Sequence, residues 1–103
     1  MESRSLFGRV LRALRCRRKL SQTELAGRAG TNQRYISELE TGFKRGPTEQ
    51  MIFRLAIGLQ ADLWEADLLR IARGFKPLTS DWQEMTAAEV LGLRSDLEKG
   101  NLG

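Results

Sequence analysis

Apolar residues recur along this chain at intervals of three and four, and nowhere does an alternation of period two compete with that rhythm. Leu6, Phe7, Val10, Leu11 and Leu14 mark one face of an amphipathic helix over residues 6–19, with arginines on the other face. Ser21 then opens "SQTE", in which Ser21 caps the amide of Glu24 and Glu24 reaches back, so a second helix runs from Gln22 to about Ala29. Gly30 stands where a left-handed residue ends a helix. Thr31 is the expected N-cap of a third helix, which Gly42 terminates. "FKRGP", Phe43 to Pro47, reads as a loop. Thr48 caps a fourth helix to Leu59, with Ile52, Leu55, Ala56 and Leu59 as its apolar stripe. Asp62 and Glu65 open a fifth, with Leu63, Leu68 and Ile71 as its expected core residues and Trp64 beside them. The expected fold is all-α.

"GFKP" begins a linker over residues 74–79. Beyond it, Ser80 with Gln83 can cap one short turn, and Thr86 with Glu89 a helix ending before Gly100. The expected organisation is a domain over 1–73, the linker, and a helical extension over 80–103. Trp82, Met85, Val90, Leu91, Leu93 and Leu97 make that extension too apolar for a pure spacer. A helix of about a dozen residues is marginal alone in water, so it needs a surface to cover. Its own domain, a second copy of the chain and another protein all remain open as that surface.

Composition narrows the chemistry. The chain has 103 residues, of which 41% are hydrophobic and 29% charged, the balance of an ordinary globular domain. No apolar run approaches the ~18 residues that span a bilayer. The arginines interleaved through "MESRSLFGRVLRALRCRRKL" break up the uninterrupted apolar segment that a secretory signal needs. One cysteine, Cys16, cannot form an internal disulfide, which suits a reducing cytoplasm. With no histidine there is little from which to build a zinc site or a histidine acid–base pair, so no cofactor, no metal and no enzymatic activity are expected. The net charge of +4 is unevenly spread: residues 1–20 carry +6, residues 21–48 carry +1, residues 49–76 balance, and residues 77–103 carry −3. A basic leading end is compatible with a polyanionic partner, although an arginine-rich helix face is also what plain solvation produces. Arg9, Arg12, Arg17 and Arg18 are read as such a solvated face with long-range attraction for an anion.

"LSQTELAGRAGTNQRYISELETG", Leu20 to Gly42, resembles the Cro/phage-repressor type of helix-turn-helix, the xenobiotic-response-element (XRE) family of bacterial and phage regulators. The resemblance rests on Gln22 opening the second helix, the small Ala26, turn Gly30, and core positions Leu25, Ile36 and Leu39. Flanking agreement comes from Leu14, Arg15, Glu40, Gly42, Pro47 and "LAIGLQADLW", so that it covers about residues 6–72, with the motif itself at 21–41. It implies a five-helix domain whose third helix enters the major groove of double-stranded DNA.

The exposed residues of that helix have the chemistry for the task. Gln33 has an amide that can pair with adenine N6 and N7, Arg34 can fork onto guanine O6 and N7, and Glu38 can accept from cytosine N4. In similar proteins the positions matching these three read bases; Asn32 and Ser37 are adjacent candidates. The resemblance makes Gln22 a phosphate contact, and places Tyr35 and Thr41 at further backbone-contacting positions. Lys44 and Arg45, in the loop that follows, are the expected cationic phosphate contacts. Arg15 and Glu40 match family positions that form an ion pair between the first and third helices. Cys16 is read as structural or incidental, and Trp64 as core.

The function implied is sequence-specific DNA binding by a cytoplasmic homodimer on a pseudo-palindromic operator, as a transcriptional regulator and in the first place a repressor. The alternative within the same fold is an antitoxin or adaptor whose extension binds a toxin or other protein, with autoregulatory DNA binding or none. Between Thr31 and Thr41 one arginine faces two glutamates, so the third helix is not a basic peptide. Affinity then has to come from flanking phosphate contacts and from dimerisation.

Overall fold

The computed structural model describes residues 5–44 and 46–78. Five helices follow one another: α1 (Leu6–Arg17), α2 (Gln22–Ala29), α3 (Gln33–Thr41), α4 (Glu49–Leu59) and α5 (Leu63–Arg73), with no strand among the described residues. None of these helices is long and apolar enough to cross a membrane. The expected extension over residues 80–103 and Arg45 lie outside the described residues.

The helix starts follow from local chemistry. Ser21 Oγ accepts from the Glu24 amide while Glu24 Oε1 accepts from the Ser21 amide, and Asp62 and Glu65 repeat that reciprocal box at α5. Thr48 Oγ1 caps α4 through the Met51 amide. One boundary moves. Asn32, not Thr31, caps α3, its Oδ1 accepting from the Tyr35 amide at 2.9 Å. Thr31 belongs to the end of the helix before: with Gly30 left-handed at φ 74°, the Thr31 amide folds back onto the Ala26 carbonyl at 2.9 Å. A helix closed in this way uses two residues beyond its last turn, so the next one begins one residue later than its hydroxyl suggests. Similarly, α1 ends at Arg17 because Lys19 turns left-handed (φ 58°) and the Leu20 amide bonds the Arg15 carbonyl.

The core draws on all five helices. Val10, Leu11, Leu14, Leu25, Ile36, Leu39, Ile52, Leu55, Leu59, Leu68 and Leu69 are each almost wholly removed from solvent. The stripe expected for α4 is buried throughout, but that of α5 is rotated. Leu63 is 55% exposed and Leu69 takes the buried place. Glu65, Leu68, Leu69 and partly buried Ala72 share one face by their spacing, and Leu63 falls off it. Ile71 and Trp64 pack partly buried against the core margin.

The stretch expected as a linker starts out held against α5. The Phe75 amide bonds the Arg70 carbonyl, Arg70 Nε donates to the Lys76 carbonyl, and the Leu78 amide donates to fully buried Asp67 at 2.7 Å. The Arg73 guanidinium lies 4.9 Å from the Phe75 ring centroid, within cation–π range.

Helix α1 crosses α3 at Gly8. A Cβ there would press into the carbonyl oxygens of Leu39 and Glu40, the second at 2.8 Å. Backbone cannot yield as a flexible side chain can. Gly8→Ala is therefore expected to destabilise the domain by ~1–3 kcal/mol despite the better helix propensity of alanine. Denaturant unfolding checks this; a stabilised variant would show that the two helices separate freely.

Candidate nucleic-acid interface

Helix α3 buries Ile36, Leu39 and Glu40, packs Tyr35 partly buried against the core margin, and leaves its other residues partly or wholly exposed. Gln33 and Arg34 are exposed on its first turn, Arg34 with 84% of its side chain accessible, while Ser37 and Glu38 are half-buried one turn on. Asn32 is exposed at the head of the helix, with its oxygen committed to the cap.

A hydrogen-bonded chain runs from the protein interior to this surface. Arg15 of α1 meets Glu40 of α3 through two bonds, Nε to Oε2 at 2.6 Å and Nη2 to Oε1 at 3.0 Å, and Glu40 retains only 3% of its accessibility. A third Arg15 bond reaches the Leu20 carbonyl at 2.8 Å. The Glu40 hydrogen bond, aided by its charge, raises the Arg15 pKa against the opposing effect of burial. Gln22 Nε2, at the head of α2, donates to Glu40 Oε1 at 3.1 Å. Gln22 Oε1 in turn accepts from Gln33 Nε2 at 2.7 Å. Gln22 therefore spends its side chain between α2 and α3, while its backbone amide sits in the first turn of α2, where no intrahelical acceptor exists.

The carboxylate of Glu38 is flanked by cations, with Arg34 Nε at 3.3 Å and Lys44 Nζ at 3.7 Å. Lys44 also lies 5.6 Å from the centroid of the Tyr35 ring, and burial raises the Tyr35 pKa. Thr41 closes the helix, its hydroxyl donating to the Glu38 carbonyl and accepting from the Phe43 amide. The Lys44 amide bonds the same Glu38 carbonyl at 3.1 Å. Two groups of contacts thus lie along the exposed side of α3: Gln22 with Gln33 at the head of α2, and Arg34, Tyr35, Thr41 and Lys44 around Glu38.

The arginines divide in a way their sequence positions do not announce. Arg17 and Arg18, expected as a solvated face, turn to buried Glu65 of α5, and Arg18 Nε also caps the α4 carboxyl end at the Leu59 carbonyl, 3.0 Å away. Arg54 was not anticipated at all. From α4 it donates to the carbonyls of Ala29 (2.9 Å) and Gly30 (2.7 Å), so it holds the turn between α2 and α3 from behind. A cation among apolar residues on a helix was the only local signal, because its partners lie 24 and 25 residues earlier. Carbonyls at a helix end attract cations. Much of the positive charge here meets that need.

No curated protein and no solved structure matches the chain. A helix-turn-helix family model matches residues 11–63, just over half of the chain, from the middle of α1 to the start of α5. With the geometry of α2 and α3 and the residues along them, that match shows that this chain belongs to the Cro/repressor-type, XRE helix-turn-helix family of DNA-binding transcription regulators.

Proposed function

We propose that the protein binds a specific double-stranded DNA operator as a homodimer and acts as a repressor. The observation that carries this reading is the first turn of α3, where Gln33 and Arg34 stand exposed while the Gln22–Glu40–Arg15 chain anchors Gln33 to the core. A helix about 10–12 Å across fits the major groove, and residues on its first turn reach furthest toward base edges. Gln33 reads adenine and Arg34 guanine. Arg34 uses Nε toward Glu38, leaving its terminal nitrogens for the guanine edge. Asn32 and Ser37 flank these two, and Glu38, neutralised by its two cations, accepts from cytosine. Phosphates are met by the Gln22 backbone amide, by Tyr35 and Thr41, and by Lys44 and Arg45.

Dimerisation follows from magnitude. One such module offers few phosphate contacts, and doubling the half-sites multiplies both affinity and specificity. Two α3 helices then enter successive major grooves about 34 Å apart on a pseudo-palindromic site. Repression requires only that such a site be occupied.

Selection of bound duplexes from a random library at two salt concentrations tests the reading. A two-fold-symmetric consensus with half-sites one turn apart is the expected result. Absence of any consensus, with binding lost at moderate salt, would reduce the protein to a non-specific polyanion binder. Within the consensus, Arg34→Ala is expected to relax one base position at a cost of ~1–3 kcal/mol. Lys44→Ala is expected to weaken all sequences alike and to lower the salt slope by about 1. Uniform loss from the arginine change would remove Arg34 from the base readers.

A further inference from the structure

We infer that Glu40, although buried and remote from DNA, is a positioning residue for base selection, because its carboxylate sets which way round the Gln33 amide faces. The inference rests on the reading of Gln33 as a base contact. It begins with an asymmetry of chemistry: an ionised carboxylate only accepts hydrogen bonds, whereas a glutamine side chain has a donor end and an acceptor end. Glu40 is held by the Arg15 guanidinium, so it meets Gln22 as a pure acceptor. Gln22 must therefore turn its NH2 inward, and its oxygen faces Gln33. That oxygen is again only an acceptor. Gln33 must turn its own NH2 toward Gln22, which leaves Oε1 and the second N–H for a partner outside the protein.

The direction of every bond in the relay is dictated by the buried charge at its root. A rotating glutamine can offer NH2 to the acceptors of guanine or thymine, or the whole amide to adenine. A locked one offers acceptor and donor in a single order, which matches the donor at N6 and the acceptor at N7 of adenine. Glu40 thus contributes discrimination rather than contact.

The test is selection of sites with the full-length chain and variants. Gln33→Ala first identifies the base position that this residue reads, by loss of about tenfold preference there. Glu40→Gln replaces the acceptor-only group by one that can donate as well. It is expected to lower the preference at that same position by about threefold or more, leaving the Arg34 position intact. Arg18→Ala, which loses an ion pair to Glu65 of α5 at the same end of α1, is expected to leave all positions unchanged. A wild-type consensus that Glu40→Gln preserves at the Gln33 position would overturn this inference alone. A wild-type chain with no consensus would overturn the DNA reading and this inference with it. One measurement needs no variant. By NMR, the side-chain amide protons of Gln22 and Gln33 in the wild-type chain should exchange more slowly than those of exposed Gln50 and Gln60, and equal rates would show that the relay is not formed.

Discussion

Arg15→Met is expected to destabilise the domain by ~3–5 kcal/mol, because it strands Glu40 as a buried charge with its main partner gone. The pair is not a surface contact of the kind that contributes little. Arg15 is 12% and Glu40 3% exposed, and the guanidinium makes two of its three bonds to this carboxylate. Gln22 alone cannot replace a cation there. For a domain of this size the loss corresponds to a fall in Tm of at least about 10 °C. The double variant Arg15→Met, Glu40→Leu should recover much of that deficit, since an apolar pair of similar volume avoids the desolvation that the charges suffer. A cycle built from the two single changes and the double one, followed by denaturant unfolding, isolates the coupling. A loss below about 1 kcal/mol in the arginine variant would mean that water reaches Glu40.

Leu25→Ala should cost ~2–5 kcal/mol, with the loss measured as an earlier denaturation midpoint at unchanged slope. Leu25 is fully buried in the middle of α2, the helix that packs against both α3 and α4. Gly58 of α4 approaches so closely that a Cβ there would sit 3.2 Å from Leu25 Cδ1. Removal of the leucine leaves a void at the junction that sets the angle between the two helices of the motif. At temperatures where the variant remains folded, its base preferences should match those of the wild type, because Leu25 is fully buried and presents nothing to the outward face. A changed consensus in the folded variant would show that the packing angle of α2 on α3 itself selects bases.

Those two residues illustrate different degrees of legibility. Leu25 enters as a core position through the resemblance, and local pattern agrees with it: it is an apolar residue in the middle of an eight-residue amphipathic helix with a capping box ahead and a glycine behind. The pairing of Arg15 with Glu40 spans 25 residues, and no local pattern links them. It came from the resemblance, and the geometry of the fold places both groups side by side. Arg54 and Arg18 had neither a pattern nor a resemblance behind them. Each caps carbonyls at the end of a helix distant in sequence, so only the packed arrangement says which carbonyls are within reach. Leu63 errs in the other direction. It is apolar and sits beside a cap, but burial in α5 follows the face that Leu68 and Leu69 define, and Leu63 lies off that face.

What the sequence by itself determined is the set of features that depend on near neighbours. The five helices, their caps at Ser21, Thr48 and Asp62, the glycine stops at Gly30 and Gly42, and the outward place of Gln33, Arg34 and Glu38 on α3 all follow from near neighbours and helical spacing. Tertiary structure alone decided which charges are internal. Of the basic residues near the leading end, Arg17 and Arg18 face Glu65 of α5, where the sequence pattern reads them as a solvated face. It also decided that Gln22 joins Glu40 to Gln33. Such facts are set by which surfaces meet when the five helices close on one core, and polar side chains at those junctions bond whatever donor or acceptor the closure brings to them, since leaving it unpaired would cost more than the bond contributes.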